Sequence, residues 1–181
     1  MSEFFRRARE AEERRPPDRA TNHDHPEGVA EYRNMGSTFY SLHVHVVFST
    51  KERSPIIADA WRSRLHAYVG GVLRGMDAKP LEVGGVEDHI HILVGTKPSH
   101  CLSDMIRELK KESTKWVRAN GNPSFSWQEG YAAFAVSTGI VSVVKTYIVN
   151  QPEHHKKFSY EEELKALLDE AGIPYEDRFL V

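Results

Sequence analysis

From residue 38 onward the chain switches between two hydrophobic periods, one of two residues and one of three to four. Leu42, Val44, Val46 and Phe48 share one face of a strand predicted over residues 38–49, and His43, His45 and Val47 share the other. Trp61, Leu65, Tyr68, Val69 and Val72 recur at helical spacing, which predicts a helix over 57–75 with Gly75 as its terminator. A strand over 79–86 follows, and Glu87-Asp88 marks the turn into the next one. In Asp88-His89-Ile90-His91-Ile92-Leu93-Val94 the alternation sends Ile90, Ile92 and Val94 into a core and His89 and His91 to the opposite face. A second helix is predicted over 103–119, with Leu102, Met105, Ile106, Leu109 and Trp116 as its buried stripe. A strand over 131–137 and a helix from 139 or 140 to 150 come next, and Pro152 ends that helix because the residue before a proline is pushed out of the α region. Ser159-Tyr160-Glu161-Glu162 reads as a capping box opening a last helix, which has Leu164, Leu167 and Leu168 on one face and stops at Gly172. The order β-α-β-β-α-β-α predicts an α+β, ferredoxin-like (RRM-like) antiparallel sheet with helices packed on it and strands one and three as central neighbours.

Residues 1–34 mix Arg, Glu, Pro and Asp with little apolar periodicity, so they read as a disordered extension before a single domain over 35–181. Met35 stands close to the expected start of that domain. At 181 residues the chain is long enough for one full core. Its single cysteine, Cys101, rules out an intramolecular disulfide and fits a reducing compartment. No apolar run is long enough to span a bilayer, and the N-terminus has no apolar signal core, so a soluble, cytoplasmic protein is expected. No Walker pattern, cysteine cluster or dinucleotide fingerprint is present.

The net charge of −2 argues mildly against strong nucleic-acid binding, which rests on Lys and Arg neutralising phosphates. Local charge matters more than the sum. Arg107, Lys110, Lys111, Lys115 and Arg118 gather on the second predicted helix, interrupted only partly by Glu108 and Glu112. They make either a solvated charged face or a phosphate-binding rail for DNA. Lys51, Arg53, Arg62 and Arg64 offer a second basic area, and His154, His155, Lys156 and Lys157 either contact DNA or form a hinge.

The candidate chemistry lies in two short runs. Residues two apart on a strand point the same way, so His89 and His91 stand side by side. Two parallel imidazoles make half of a divalent-metal site. The bare spacing equally fits two polar residues on the solvent face of a half-buried strand. If residues 145–151 are helical, Tyr147 and Gln151 lie one turn apart on one face. A phenol beside a third metal ligand is a nucleophile held next to a Lewis acid. An ordinary phenol has a pKa of about 10, so a nearby cation must activate it. Tyr147 is otherwise an aromatic packed on the sheet, and its competitor Tyr131 sits in the apolar strand YAAFAV, where core packing explains it. His43 and His45 form a rival His-x-His on strand one, and Asp88 is either a carboxylate near a metal or a turn residue.

The His-hydrophobic-His strand and Tyr-x-x-x-Gln, together with LHVHVVFSTKER, SWQEGYAAFAVS, YIVNQPEHHKK and GIPYEDRFL in that order, resemble the single-tyrosine HUH transposases over roughly residues 35–181. These are the transposases of small insertion sequences and the related REP-associated tyrosine transposases. The resemblance implies the same split β-α-β architecture. It implies a divalent metal, Mg²⁺ or Mn²⁺, on His89, His91 and Gln151, with His45 and Asp88 beside those ligands. It implies Tyr147 as the nucleophile that becomes joined to a 5′-phosphate. It also implies single-stranded DNA hairpins as partner and a homodimer, and in relatives the tyrosine helix can reach the histidine pair of the other subunit. Two other readings compete: a domesticated relative that processes or only binds hairpin DNA, and an unrelated metal-dependent phosphoesterase that uses water and needs no tyrosine.

Overall fold

The computed structural model describes residues 38–177 and Leu180; the extension expected over 1–34 and the suggested start at Met35 lie outside them. Strands β1 (Leu42–Ser49), β2 (Lys79–Gly85), β3 (His89–Thr96) and β4 (Ala132–Val136) form one sheet in the order β2-β3-β1-β4. Every pairing is antiparallel. With β1 and β3 in the centre, this is the α+β, ferredoxin-like order that the sequence predicts. Val44 faces Val94 across the central pair, and Val47 faces His91.

The two faces of the sheet are chemically different, as the period of two requires. On one face Val46, Phe48, Ile90, Ile92 and Val94 meet helices α1 (Asp59–Gly75) and α2 (Leu102–Asn120). Trp61, Leu65, Val69 and Leu73 of α1 and Met105, Ile106, Leu109 and Val117 of α2 complete this main core. The stripe of α2 differs from the expected one in one place. Trp116 packs only at the rim, where it stacks on Tyr68 at 5.4 Å, and Val117 takes the fully buried position. Ser113 is buried inside the stripe because its hydroxyl accepts the indole N–H of Trp127 at 2.9 Å and donates to the Leu109 carbonyl.

The other face is covered by α3 (Val141–Val149), the single turn α4 (Gln151–His154) and α5 (Tyr160–Ala171). Two apolar clusters flank its middle. Leu93, Val136, Val144, Tyr147 and Ile148 form one, and Val47, Tyr160, Leu164, Leu167, Leu168 and Leu180 form the other. The space between them holds the polar residues of interest. Gly84 lets α3 come this close to β2: a Cβ there would lie 2.6 Å from the Ile148 carbonyl oxygen.

The tyrosine helix stops earlier than expected. It ends at Val149, Asn150 leaves helical geometry, and Gln151 opens the next turn. Pro152 sits in the first turn of α4 rather than simply ending α3, since a proline at a helix start loses no hydrogen bond. The capping box at Ser159 and Glu162 forms, and Gly172 ends α5 in the left-handed region at φ 65°.

Candidate metal centre and tyrosine

β3 turns His89 and His91 away from the main core and under α3, α4 and α5, where both are fully buried. They are therefore not the solvent-facing pair that the bare spacing also allowed. Each imidazole has one nitrogen committed to a neighbour. Nδ1–H of His89 donates to Asp88 Oδ1 at 2.6 Å, and Nδ1 of His91 shares a hydrogen bond of 2.9 Å with Nε2 of His45. The other nitrogen of each ring is thereby turned toward one point, the usual job of a partner that orients a metal-binding histidine. His43, on the same strand face as His45, stands apart from this group, next to Gly95.

A residue that the strand patterns do not mark lies at that point. Glu163 projects from α5 into the cluster and is almost wholly buried. Its Oε2 lies 3.2 Å from His91 Nε2, 3.2 Å from His155 Nε2 and 3.6 Å from His89 Nε2. Its Oε1 accepts the Tyr147 hydroxyl and the Gln151 side-chain amide, the latter at 2.8 Å. The amide oxygen of Gln151 faces His89 Nε2 at 3.4 Å. Tyr147 stands edge-on to His91, with ring centroids 5.8 Å apart, and Tyr160 covers His89 at 4.7 Å.

The structure thus brings His45, Asp88, His89, His91, Tyr147 and Gln151 into one cluster and adds Glu163 and His155. His154 and His155 do not form a free hinge; both rings approach Glu163, His154 at 3.5 Å. One signal for Glu163 was present in the sequence. Tyr160, Glu163, Leu164 and Leu167 fall on one helical stripe, and a carboxylate on an apolar stripe needs a buried partner.

The electrostatics suit a cation. Burial raises the pKa of Glu163, but the surrounding His91, His155 and His89 outweigh burial and hold its carboxyl far below the usual range, so it is ionised. Burial drives His45 down to about 3, helped by nearby His91. Burial also lowers the pKa of His91, against the pull of Glu163, which favours the neutral imidazole that a metal requires. Asp88 stays ionised because His89 overcomes the effect of burial. His91 Nε2, His155 Nε2 and Glu163 Oε2 are buried without a well-aligned hydrogen-bond partner. Ligand atoms of His89, His91, His155 and Glu163 all lie within 4.8 Å of one another. This donor set can hold a divalent metal, with Gln151 at its edge.

The phenol is in a different position. Burial and the carboxylate of Glu163 push Tyr147 well above its ordinary pKa, and only 6% of the residue is exposed. In this arrangement it is an un-ionised donor to Glu163.

The basic residues of α2 lie across the sheet from the histidines. Arg107, Lys111 and Lys115 are exposed and paired with Asp104, Glu108 and Glu112. Lys110 and Arg118 are engaged by loop carbonyls instead. Lys110 donates to the Gln128 and Gly130 carbonyls over the Phe48 ring, with its pKa lowered by burial to about 8, and Arg118 donates to the Phe125 carbonyl. Arg62 is occupied by the Ile57 carbonyl, Asp59 and Glu87. A cleft of about 360 Å³ opens beside the cluster and is lined by Arg53, Asp88, His155 and Tyr160. No helix among the described residues is long and apolar enough to cross a membrane.

Comparison with known proteins bears on the fold and the family. Residues 38–151 match the family model described as "Transposase IS200 like". A protein from Deinococcus radiodurans R1 described as a transposase superposes with a TM-score of 0.54 at 21% identity, covering 66% of this chain and 97% of that one. A REP-associated tyrosine transposase bound to a REP hairpin superposes with a TM-score of 0.51 at 18% identity, covering 70% of this chain and 74% of that one. A search of curated proteins finds no match. At such identities the two structures speak for the fold, and the family model, which spans more than half of the sequence, speaks for descent: the chain belongs to the IS200-like transposase family.

Proposed function

We propose that this chain is a single-strand-specific DNA transposase and endonuclease that cuts and rejoins DNA through a tyrosine. The observation that carries the reading is the convergence of the Tyr147 hydroxyl, the Gln151 amide and the His89 and His91 imidazoles around one carboxylate. The Tyr147 oxygen attacks a backbone phosphorus and forms a phosphotyrosine bond to the 5′-phosphate. The P–O3′ bond breaks and leaves a 3′-hydroxyl, and the phenolic proton is lost to a base. Attack by a 3′-hydroxyl from a second cut end reverses the step and joins two strands without an external energy source. A divalent metal, when bound by His89 and His91 with Gln151 nearby, supplies a Lewis acid that polarises the scissile phosphate.

The chain's own residues set the stage. Asp88 and His45 fix the ring orientations of His89 and His91. Gln151 holds Glu163 through its amide N–H. The arrangement described above is a closed, resting one, because Tyr147 is buried and its hydroxyl is engaged by Glu163. Withdrawal of α5 uncovers Tyr147 beside the histidines of the same chain. Single-stranded hairpin DNA is the proposed partner, by analogy with the hairpin held by the REP-associated relative. The proposed path enters by the cleft at Arg53, with Arg107, Lys111 and Lys115 as phosphate contacts elsewhere. A homodimer is part of the proposal.

The buried tyrosine also favours a second reading, a domesticated relative that binds hairpins without cutting. One experiment separates the two. Incubation with single-stranded hairpin DNA and a divalent metal, with Mg²⁺, Mn²⁺ and Co²⁺ each tried in turn, is expected to yield a denaturation-resistant protein–DNA adduct. Tyr147→Phe is expected to abolish the adduct and keep DNA binding. Binding without any adduct from the wild-type protein supports the second reading instead, and an undiminished adduct from Tyr147→Phe overturns the role of that residue.

A further inference from the structure

We infer that in the resting arrangement the metal site of this chain is completed by His155 and Glu163 into a four-ligand set of three imidazoles and one carboxylate, built for a transition metal such as Zn²⁺ or Co²⁺ rather than for Mg²⁺, and that withdrawal of α5 with Glu163 opens one position for a phosphate oxygen. The inference rests on the metal-dependent reading above and names two ligands and a metal class that it does not.

The distances carry the argument. In a tetrahedral site with bonds of about 2.0–2.1 Å, neighbouring donors stand about 3.3–3.4 Å apart. Glu163 Oε2 lies 3.2, 3.2 and 3.6 Å from the Nε2 atoms of His91, His155 and His89. Donors around octahedral Mg²⁺ stand closer, at about 2.9 Å, and are mostly water and carboxylate oxygens. Three imidazole nitrogens instead suit Zn²⁺, Co²⁺ and their neighbours in the affinity series. Three of the four facing atoms lack a well-aligned hydrogen bond, His91 Nε2, His155 Nε2 and Glu163 Oε2, and the fourth, His89 Nε2, faces the Gln151 amide oxygen at 3.4 Å. Polar atoms buried in this way are normally satisfied, and one cation at their centre satisfies all of them.

The surroundings are arranged for this set. His89 is braced by Asp88, His91 by His45, and His155 by a 2.9 Å hydrogen bond between its Nδ1 and the Phe158 carbonyl. All three rings therefore have Nδ1 occupied and Nε2 turned inward. Glu163 gives Oε2 to the set and Oε1 to Tyr147 and Gln151. The helix that completes the metal set is thus also the one that holds the tyrosine.

The full-length protein, stripped with chelator and titrated with Co²⁺, tests this without reference to activity. The wild type is expected to show the intense visible absorption of four-coordinate cobalt(II), lost on adding one equivalent of Zn²⁺ and unaffected by a large excess of Mg²⁺. His155→Ala and Glu163→Gln are each expected to weaken Co²⁺ binding by at least about tenfold and to replace the intense bands with weak octahedral ones. A weak octahedral spectrum from the wild type overturns the inference and requires no variant to fold. So does an unchanged spectrum and affinity in both variants. His89→Ala and His91→Ala separate the two levels. If they abolish Co²⁺ binding while His155→Ala and Glu163→Gln do not, only the four-ligand set fails. If they too leave binding intact, the metal-dependent reading fails with it.

Discussion

Gly84→Ala probes the seat of the tyrosine from the far side of its helix. The added methyl would lie 2.6 Å from the Ile148 carbonyl oxygen and 2.8 Å from Ile148 Cγ2. Taking about 3.4 Å as the near limit of an ordinary contact, the shortfall is about 0.8 Å at the oxygen. Ile148 is fully buried among Leu93, Val144 and Tyr147, and the clashing oxygen belongs to the backbone, so no side-chain rotation relieves it. α3 must lift from β2, carrying Tyr147 and displacing Gln151. Overpacking of this kind costs about 1–3 kcal/mol. For a chain of this size that lowers Tm by roughly 2–12 °C. Displacing a reacting group by about 1 Å costs on the order of 100-fold in rate. Thermal denaturation and single-turnover adduct formation with hairpin DNA measure the two effects, and DNA affinity should change little. A variant with wild-type Tm and wild-type rate would show that α3 does not hold the tyrosine where it acts.

Three further outcomes are expected. Asp88→Ala frees the His89 ring and should weaken divalent-metal affinity by about 10–100-fold in calorimetric titration; unchanged affinity removes Asp88 from the site. Lys111→Ala with Lys115→Ala should weaken binding of all single-stranded DNAs alike and flatten the salt dependence by up to about 0.7 log unit per lost contact. The exposed ion pairs of these lysines with Glu108 and Glu112 exchange at little cost, so an unchanged salt slope would mean that α2 is only a solvated face. Glu163, whose carboxyl is held below its ordinary value of 4.5, contributes stability that is complete above that pH and is lost as pH falls through its folded value. Acid titration of the metal-free protein by circular dichroism should therefore show a loss of stability below about pH 4.5 that is smaller in Glu163→Gln; identical acid profiles would contradict the buried carboxylate.

Strand faces were legible because a period of two leaves no freedom: once Ile90, Ile92 and Val94 are core, His89 and His91 must face the other way. The central pairing of β1 and β3, and with it the closeness of His45 to His91, followed from the element order. The capping box at Ser159 was equally plain, being a local motif. Glu163 was hidden by that motif. In the run Glu161-Glu162-Glu163 all three acids suit the positive end of a helix, and only the register of the third with Tyr160, Leu164 and Leu167 singles it out. His155 was hidden because the chain direction after Asn150 depends on how α4 breaks from α3. The fates of Lys110 and Arg118 depend on carbonyls of the loop after α2, a tertiary matter that charge spacing on a helix does not encode.

The central claim is that the Tyr147 oxygen becomes bonded to DNA. Digesting the adduct formed with hairpin DNA and a divalent metal, and sequencing its peptides by mass spectrometry, tests this most directly. The account predicts one modified peptide, with the nucleotide 5′-phosphate on Tyr147 and a free 3′-hydroxyl on the released strand. A modification on any other residue, or cleavage that leaves no protein–DNA bond, would contradict it.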